Sequence, residues 1–301
     1  MITILVSADL VFVMRLLRLL AWGMIHMFKQ RVITAVILVL AFLSLLITLS
    51  PVSFALMISA LVILAGWEWT NLMKISTVPG KVGYLLLLTL GLLLTSVWLG
   101  LWDRFDQSRA EQLFQVAVAL WAVIFLWVQG YPSSKILWSS RPVIGLLGIV
   151  LLAFTWAAVA SILHHQAGQW MLLIAIAVVA LADIGGYVAG NIWGKHKLAP
   201  RVSPGKTWEG FAGAMVFQLL FIVGLMSLLP HLVAKDLFIL IIPVALYSIL
   251  GDLFESMLKR HRGVKDSGQL LPGHGGLLDR IDGFMAALPL FALLLSLTSP
   301  F

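Results

Sequence analysis

Cysteine is absent from the 301 residues, so the chain can form neither a disulfide nor a thiolate metal centre. Any metal must be held by carboxylate, imidazole or backbone oxygen, which favours hard cations. Charge is scarce as well. Only 11% of residues are Asp, Glu, Lys or Arg, against roughly a quarter in soluble domains, and this excludes an ordinary water-exposed surface. No soluble domain, internal repeat or low-complexity segment interrupts the chain. What fills it instead is apolar: 61% of residues are hydrophobic and the mean hydropathy is +1.04. The separate apolar runs are about 20 residues long, which fits hydrogen-bonded helices crossing lipid rather than the alternating strands of a barrel. The expected fold is all-α, a polytopic transmembrane helical bundle. A net charge of +7 is explained by basic residues flanking membrane spans, so no nucleic-acid partner is expected.

Apolar runs broken by charge, Pro or Gly predict nine spans, near 32–49, 52–70, 82–101, 112–129, 141–163, 169–190, 209–229, 236–253 and 283–299. The division at Ser50-Pro51 is the least marked. Loops assigned alternately to two sides give fifteen Lys and Arg to one side, and only Arg104, Arg109 and Lys235 to the other. By the positive-inside rule the basic side is cytoplasmic, which predicts a multi-pass protein of a bacterial-type inner membrane. Residues 1–28 carry Arg15, Arg18, Trp22, His26 and Lys29 at helical spacing. They read as an interfacial amphipathic extension, or as residues upstream of a true start at Met24 or Met27. Residues 29–182 then form an N-terminal transmembrane region, and 183–301 a catalytic transmembrane region with cytoplasmic loops.

Two polar stretches stand out, Ala182 to Gly210 and Gly251 to Asp282, and each runs off one helix through a basic, glycine-rich loop into the next. Two spans separate them, so the chain returns both to one membrane face, where they can build a single site. Together they hold Asp183, Asp252, Asp266, Asp279 and Asp282, five of the nine aspartates. Surface ion pairs at helix ends would explain any one of these, but not the concentration of acids and bases in an otherwise charge-poor chain. Carboxylates without sulfur suit Mg²⁺, which takes one or two of them together with phosphate oxygens and water. Asp279 and Asp282, three apart at the start of a helix, share a face. Asp183 lies well inside the sixth span, where a carboxylate costs about 2.5 to 3.5 kcal/mol, so a polar site is expected around it. Gly185, Gly186 and Gly190 beside it allow close helix packing.

The SPGKT sequence at 203–207 is not a nucleoside-triphosphate P-loop: the first required glycine falls at Pro200, and no strand is expected before it. Ser203, Lys206 and Thr207 can still donate to phosphate beside a helix N-terminus. His274, within Pro-Gly-His-Gly-Gly, is expected to contact substrate or phosphate rather than metal.

The run S-x-L-K-R-x4-K-D-x-G-x3-P-G-H-G-G-x-L-D-R-x-D from Ser256 to Asp282 closely resembles the signature of the CDP-diacylglycerol synthase (phosphatidate cytidylyltransferase) family. ADIGGYVAG and KLAPRVSPGKTWEG match upstream, and KQRVITAV near Lys29 is similar to the family's usual start. Ile184 stands where members often have Thr. The resemblance implies transfer of CMP from CTP to phosphatidic acid, with Mg²⁺ required, a monovalent cation as a second ion, and a homodimer in the membrane. It assigns metal binding to Asp252 and Asp279, supported by Asp282 and Asp183. Lys206, Lys259, Arg260 and Lys265 would neutralise the phosphates, with Asp266 and His274 also catalytic. Ser203, Thr207, Glu209, Ser256 and Arg280 would contact substrate. Two rivals remain: a CTP-dependent polyprenol- or phytol-type lipid kinase, and a secondary transporter, which would show inverted repeats and a midplane site.

Overall fold

The structure, a computed structural model, describes residues 40–165, 167–229, 232–270 and 275–298. Residues 50–301 form one compact unit and residues 1–49 another. The interfacial extension and most of the first expected span lie outside the described residues; 40–48 are helical. The fold is an α-helical polytopic membrane bundle. Eight of its described helices are long and apolar enough to cross a membrane: α1 (Pro51–Leu72), α2 (Val78–Trp98), α3 (Gln107–Gln129), α5 (Arg141–His164), α6 (Gly168–Trp193), α7 (Trp208–Leu228), α8 (Ala234–Arg262) and α9 (Leu278–Leu297). A one-turn helix, α4 (Lys135–Trp138), precedes α5.

The Ser50-Pro51 division is a real helix start. Pro51 occupies the first turn, where its missing N–H is harmless, and the Ser50 side chain accepts from the Ser53 N–H at 3.2 Å. α5 is the central helix, buried along most of its length and packed on α1, α2, α3, α6 and α9. Lipid offers no hydrogen bonds, so polar groups at this depth must find partners inside the protein. Trp69 Nε1 donates to Ile144 O at 2.9 Å, Trp156 Nε1 to Ala55 O at 2.9 Å, and Tyr84 OH to Gly145 O at 3.2 Å, pinning α1 and α2 to α5.

α6 crosses α7 closely. A Cβ at Gly185 would sit 2.8 Å from Gly213 O, and one at Gly210 would sit 2.7 Å from Gly186 O. Small residues on both helices therefore let the backbones touch, as expected from the glycines after Asp183. Gln218 Nε2, fully buried, bridges the same pair through Val178 O at 2.8 Å.

Two features depart from expectation. The glycine-rich stretch after α6 is an antiparallel hairpin, not a loop: β1 (Lys197–Ala199) pairs with β2 (Ser203–Thr207), Lys197 opposite Thr207 and Ala199 opposite Ser203. Strand pairing supplies partners for backbone groups that a Pro- and Gly-containing sequence leaves undecided. The second departure is that α8 continues nine residues past its expected end at 253, stopping only where Gly263 adopts a left-handed conformation (φ 77°). Asp252, Glu255, Ser256, Lys259 and Arg260 thus ride on one rigid helix.

Candidate active site

Both polar segments meet at one end of the bundle. Thr207 ends β2 and caps α7, its Oγ1 accepting from the Gly210 N–H at 3.1 Å. Glu209, in the first turn of α7, accepts from the Lys195 N–H at 3.1 Å, from the His196 N–H, and from His196 Nδ1 at 2.6 Å. On the other side Arg260 Nε donates to Val202 O at 3.2 Å, tying α8 to the hairpin. So clamped, β2 presents Lys206 to α8, where its Nζ lies 2.6 Å from Asp252 Oδ2. Ser256, one turn along, donates to the other oxygen of Asp252 at 3.2 Å. This pair borders a cavity of about 430 Å³, whose wall also includes Asp183, Ser203, Thr207 and, from the α6–α7 crossing, Gly186, Gly190 and Gly210. Asp183 is exposed to that space rather than enclosed by side chains, within electrostatic reach of Lys206, Asp252 and Arg280.

Beside the cavity, α8 and α9 come together through Gly251, where a Cβ would overlap Asp282 O. Asp282 lies within electrostatic reach of Asp252, Glu255 and Lys259. Glu255 is fully buried and pairs with Lys259 at 2.5 Å; Lys259 also reaches Asp279 at 2.8 Å. Asp279 accepts in addition from the N–H groups of Ser267 (3.1 Å) and Gly276 (2.8 Å), so three donors hold its carboxylate. A row of charges therefore runs from Asp252 through Asp282, Glu255 and Lys259 to Asp279.

The remaining assigned residues divide. Lys265 and Asp266, both exposed, line a second cavity of about 570 Å³ with Asn71, Lys74, Lys81 and Arg262. They stand apart from Lys206, on the far side of the charge row. Asn71 organises this basic chamber: Lys81 Nζ donates to its Oδ1 at 2.7 Å, Arg262 Nε to its carbonyl at 2.9 Å, and its own Nδ2 to Ser267 O at 3.0 Å. Arg280 is exposed at the start of α9. His274 lies outside the described residues.

Glu68, Asn71 and Glu255 are absent from the sequence-based assignment. Glu68, 1% exposed, accepts from the Leu278 N–H at 2.8 Å and from Ser267 Oγ at 3.4 Å, gripping the signature segment at its middle and near its end. A carboxylate within an apolar span was the available signal. Glu68→Ala is expected to leave the buried Leu278 N–H without its acceptor, costing about 1 to 3 kcal/mol and lowering the thermal midpoint in detergent; an unshifted midpoint contradicts the role.

The donor set suits a hard divalent cation. Asp183 and Asp252 face one cavity, and Mg²⁺ needs only one or two protein carboxylates when phosphates supply the rest. Among the described residues no three carboxylate or imidazole groups converge as a self-sufficient metal centre.

The polar cavity where the hairpin meets α6, α7 and α8 is walled by Lys206, Asp183 and Asp252, and the chain belongs to the cytidylyltransferase family of nucleotide-transferring enzymes, whose model matches residues 29–298. It is similar to the phosphatidate cytidylyltransferase of Haemophilus influenzae, 37% identical over 88% of this chain and 98% of that protein. The proteins of that name from Pseudomonas aeruginosa (37% identical, covering 89% of this chain and 97% of the relative) and Bacillus subtilis (34%, 90% and 98%) match over similar lengths.

Proposed function

We propose that this enzyme is a nucleotidyltransferase that moves CMP from CTP to phosphatidic acid, giving CDP-diacylglycerol and pyrophosphate in phospholipid synthesis. The observation that carries the site assignment is the Lys206–Asp252 pair at the polar cavity, built by two segments that the chain returns to one end of the bundle.

The chemistry requires no protein nucleophile. A phosphatidate oxygen, ionised at neutral pH, forms a bond to the α-phosphorus of CTP; the bond from that phosphorus to the bridging oxygen breaks, and pyrophosphate leaves with the electron pair. The protein's task is alignment and neutralisation of gathered negative charge. Lys206 sits where it can contact a phosphate oxygen, and Asp252, oriented by Lys206 and Ser256, would hold Mg²⁺ with Asp183, while Asp282 supports them from the second rank. When bound, the ion would supply positive charge to the triphosphate. Lys259 and Asp279 keep the α8–α9 frame in place. Arg260 and Glu209 hold the hairpin. The basic chamber beyond, with Lys265, adds positive charge at the same end.

The fifteen-to-three bias of Lys and Arg between alternate loops supports a cytoplasm-facing site in a bacterial-type inner membrane, and the family resemblance supports a homodimer. The deciding assay supplies CTP labelled either on cytidine or on the γ-phosphate to purified protein with phosphatidic acid. Cytidine label is expected to enter lipid, to stop on chelation of divalent cations and to return with Mg²⁺. Entry of γ-label alone would instead establish a lipid kinase.

A further inference from the structure

Next to the polar cavity, between α3 and α8, runs a larger groove of about 990 Å³. Its walls are apolar: Ala122 and Leu126 from α3 face Leu246 and Leu250 from α8, with Trp121 at the deep end. On α3 the lining extends from Trp121 to Gln129, nine residues or about 12 Å of helix. That is most of one leaflet's share of a hydrocarbon core of about 30 Å. The hairpin tip, Pro200 and Arg201, closes the other end and places a cation at the level of the polar cavity.

The groove and the cavity adjoin. Leu198, Phe211 and Ile249 line both, so the apolar wall begins at the side chains that border Lys206 and Asp252. Phe211 and Trp208, in edge contact at 5.6 Å, stand at the junction. A ligand that spans the border needs an anionic head within reach of Lys206 and a chain about one leaflet long. A nucleotide has the first and lacks the second.

We propose that the α3–α8 groove seats an acyl chain of the lipid substrate while its phosphate occupies the polar cavity, making the groove the determinant of chain-length preference. This rests on the cytidylyltransferase reading and adds to it the place of the lipid's apolar part. Ala122 is the key position: a small, exposed residue at the deep end, where a larger side chain shortens the space available. Leu246, half-exposed on the opposite wall, offers the same handle independently.

The test uses full-length protein in mixed micelles with cytidine-labelled CTP and phosphatidates of short and long acyl chains. Ala122→Trp is expected to lower the long-chain to short-chain ratio of kcat/KM by about tenfold or more, the effect of altering a few apolar pocket contacts; Leu246→Trp should move it the same way and serves if the first variant does not fold. A ratio equal to wild type in the folded variants would overturn the proposal and leave the groove to bulk membrane lipid. Failure of the underlying reading looks different: wild-type protein would give no cytidine-labelled lipid at either chain length.

Discussion

Asp252→Asn is expected to lower cytidylyl transfer by about 10²- to 10³-fold, the usual cost of removing one preorganised charge from a site of this kind. The substitution keeps the shape and loses the charge, so Lys206 no longer has an ionic partner 2.6 Å away, and the divalent cation proposed here would lose its best-oriented ligand. Lys206→Met should cost a similar factor from the opposite side. Because the two groups orient each other, the double variant should be little worse than the weaker single one. Initial rates of cytidine label entering lipid, measured over a Mg²⁺ titration, decide the matter: the Asn variant should need more Mg²⁺. Multiplying effects at an unchanged Mg²⁺ requirement would show that the pair does not act as a unit at the reacting phosphates.

Lys259→Met should be the most destabilising single change, at about 3 to 5 kcal/mol, because it strands two acids at once. Glu255 is fully buried and Asp279 nearly so, and each has Lys259 as its cationic partner in the charge row. Neutralising Glu255 as well, in Lys259→Met/Glu255→Gln, should recover part of the loss, since the remaining carboxylate keeps its N–H donors from Ser267 and Gly276. The thermal midpoint in detergent reports both. A Met variant that melts with the wild type would mean that these charges are not held by the lysine.

The spans were legible because lipid enforces long apolar runs, and seven of the eight that fall within the described residues start and stop near the hydropathy breaks, α8 alone running on past its break. Convergence of the polar segments was legible too, since an even number of intervening spans returns a chain to the side it left. The hairpin was not: Ser203-Pro204-Gly205 reads as a turn, and only pairing with Lys197–Ala199 makes it a strand. The extension of α8 was hidden by its polarity, although the four-residue spacings of Asp252 to Ser256 and Glu255 to Lys259, followed by Gly263, are the marks of a helix leaving the membrane. Separate use of the signature could not be read from spacing either. Ser256, at its start, bonds to Asp252 beside Lys206, while Lys265 and Asp266 look into the chamber organised by Asn71, a residue nearly two hundred positions earlier in the chain. Asp279, assigned to metal by resemblance, is found with its oxygens facing Lys259 and two backbone N–H groups.

The short hairpin sets an unusual arithmetic on evolution at this site. Four residue steps of β2 lie opposite two of β1, so Lys206 is aimed by the anchors on either side of it, and a residue gained or lost between Val202 and Thr207 would move the lysine off Asp252. The anchors at Val202, His196 and Thr207 could not all follow such a shift. Length in this stretch is therefore constrained more tightly than composition, and variation should enter here by exchange of residues rather than by gain or loss of them.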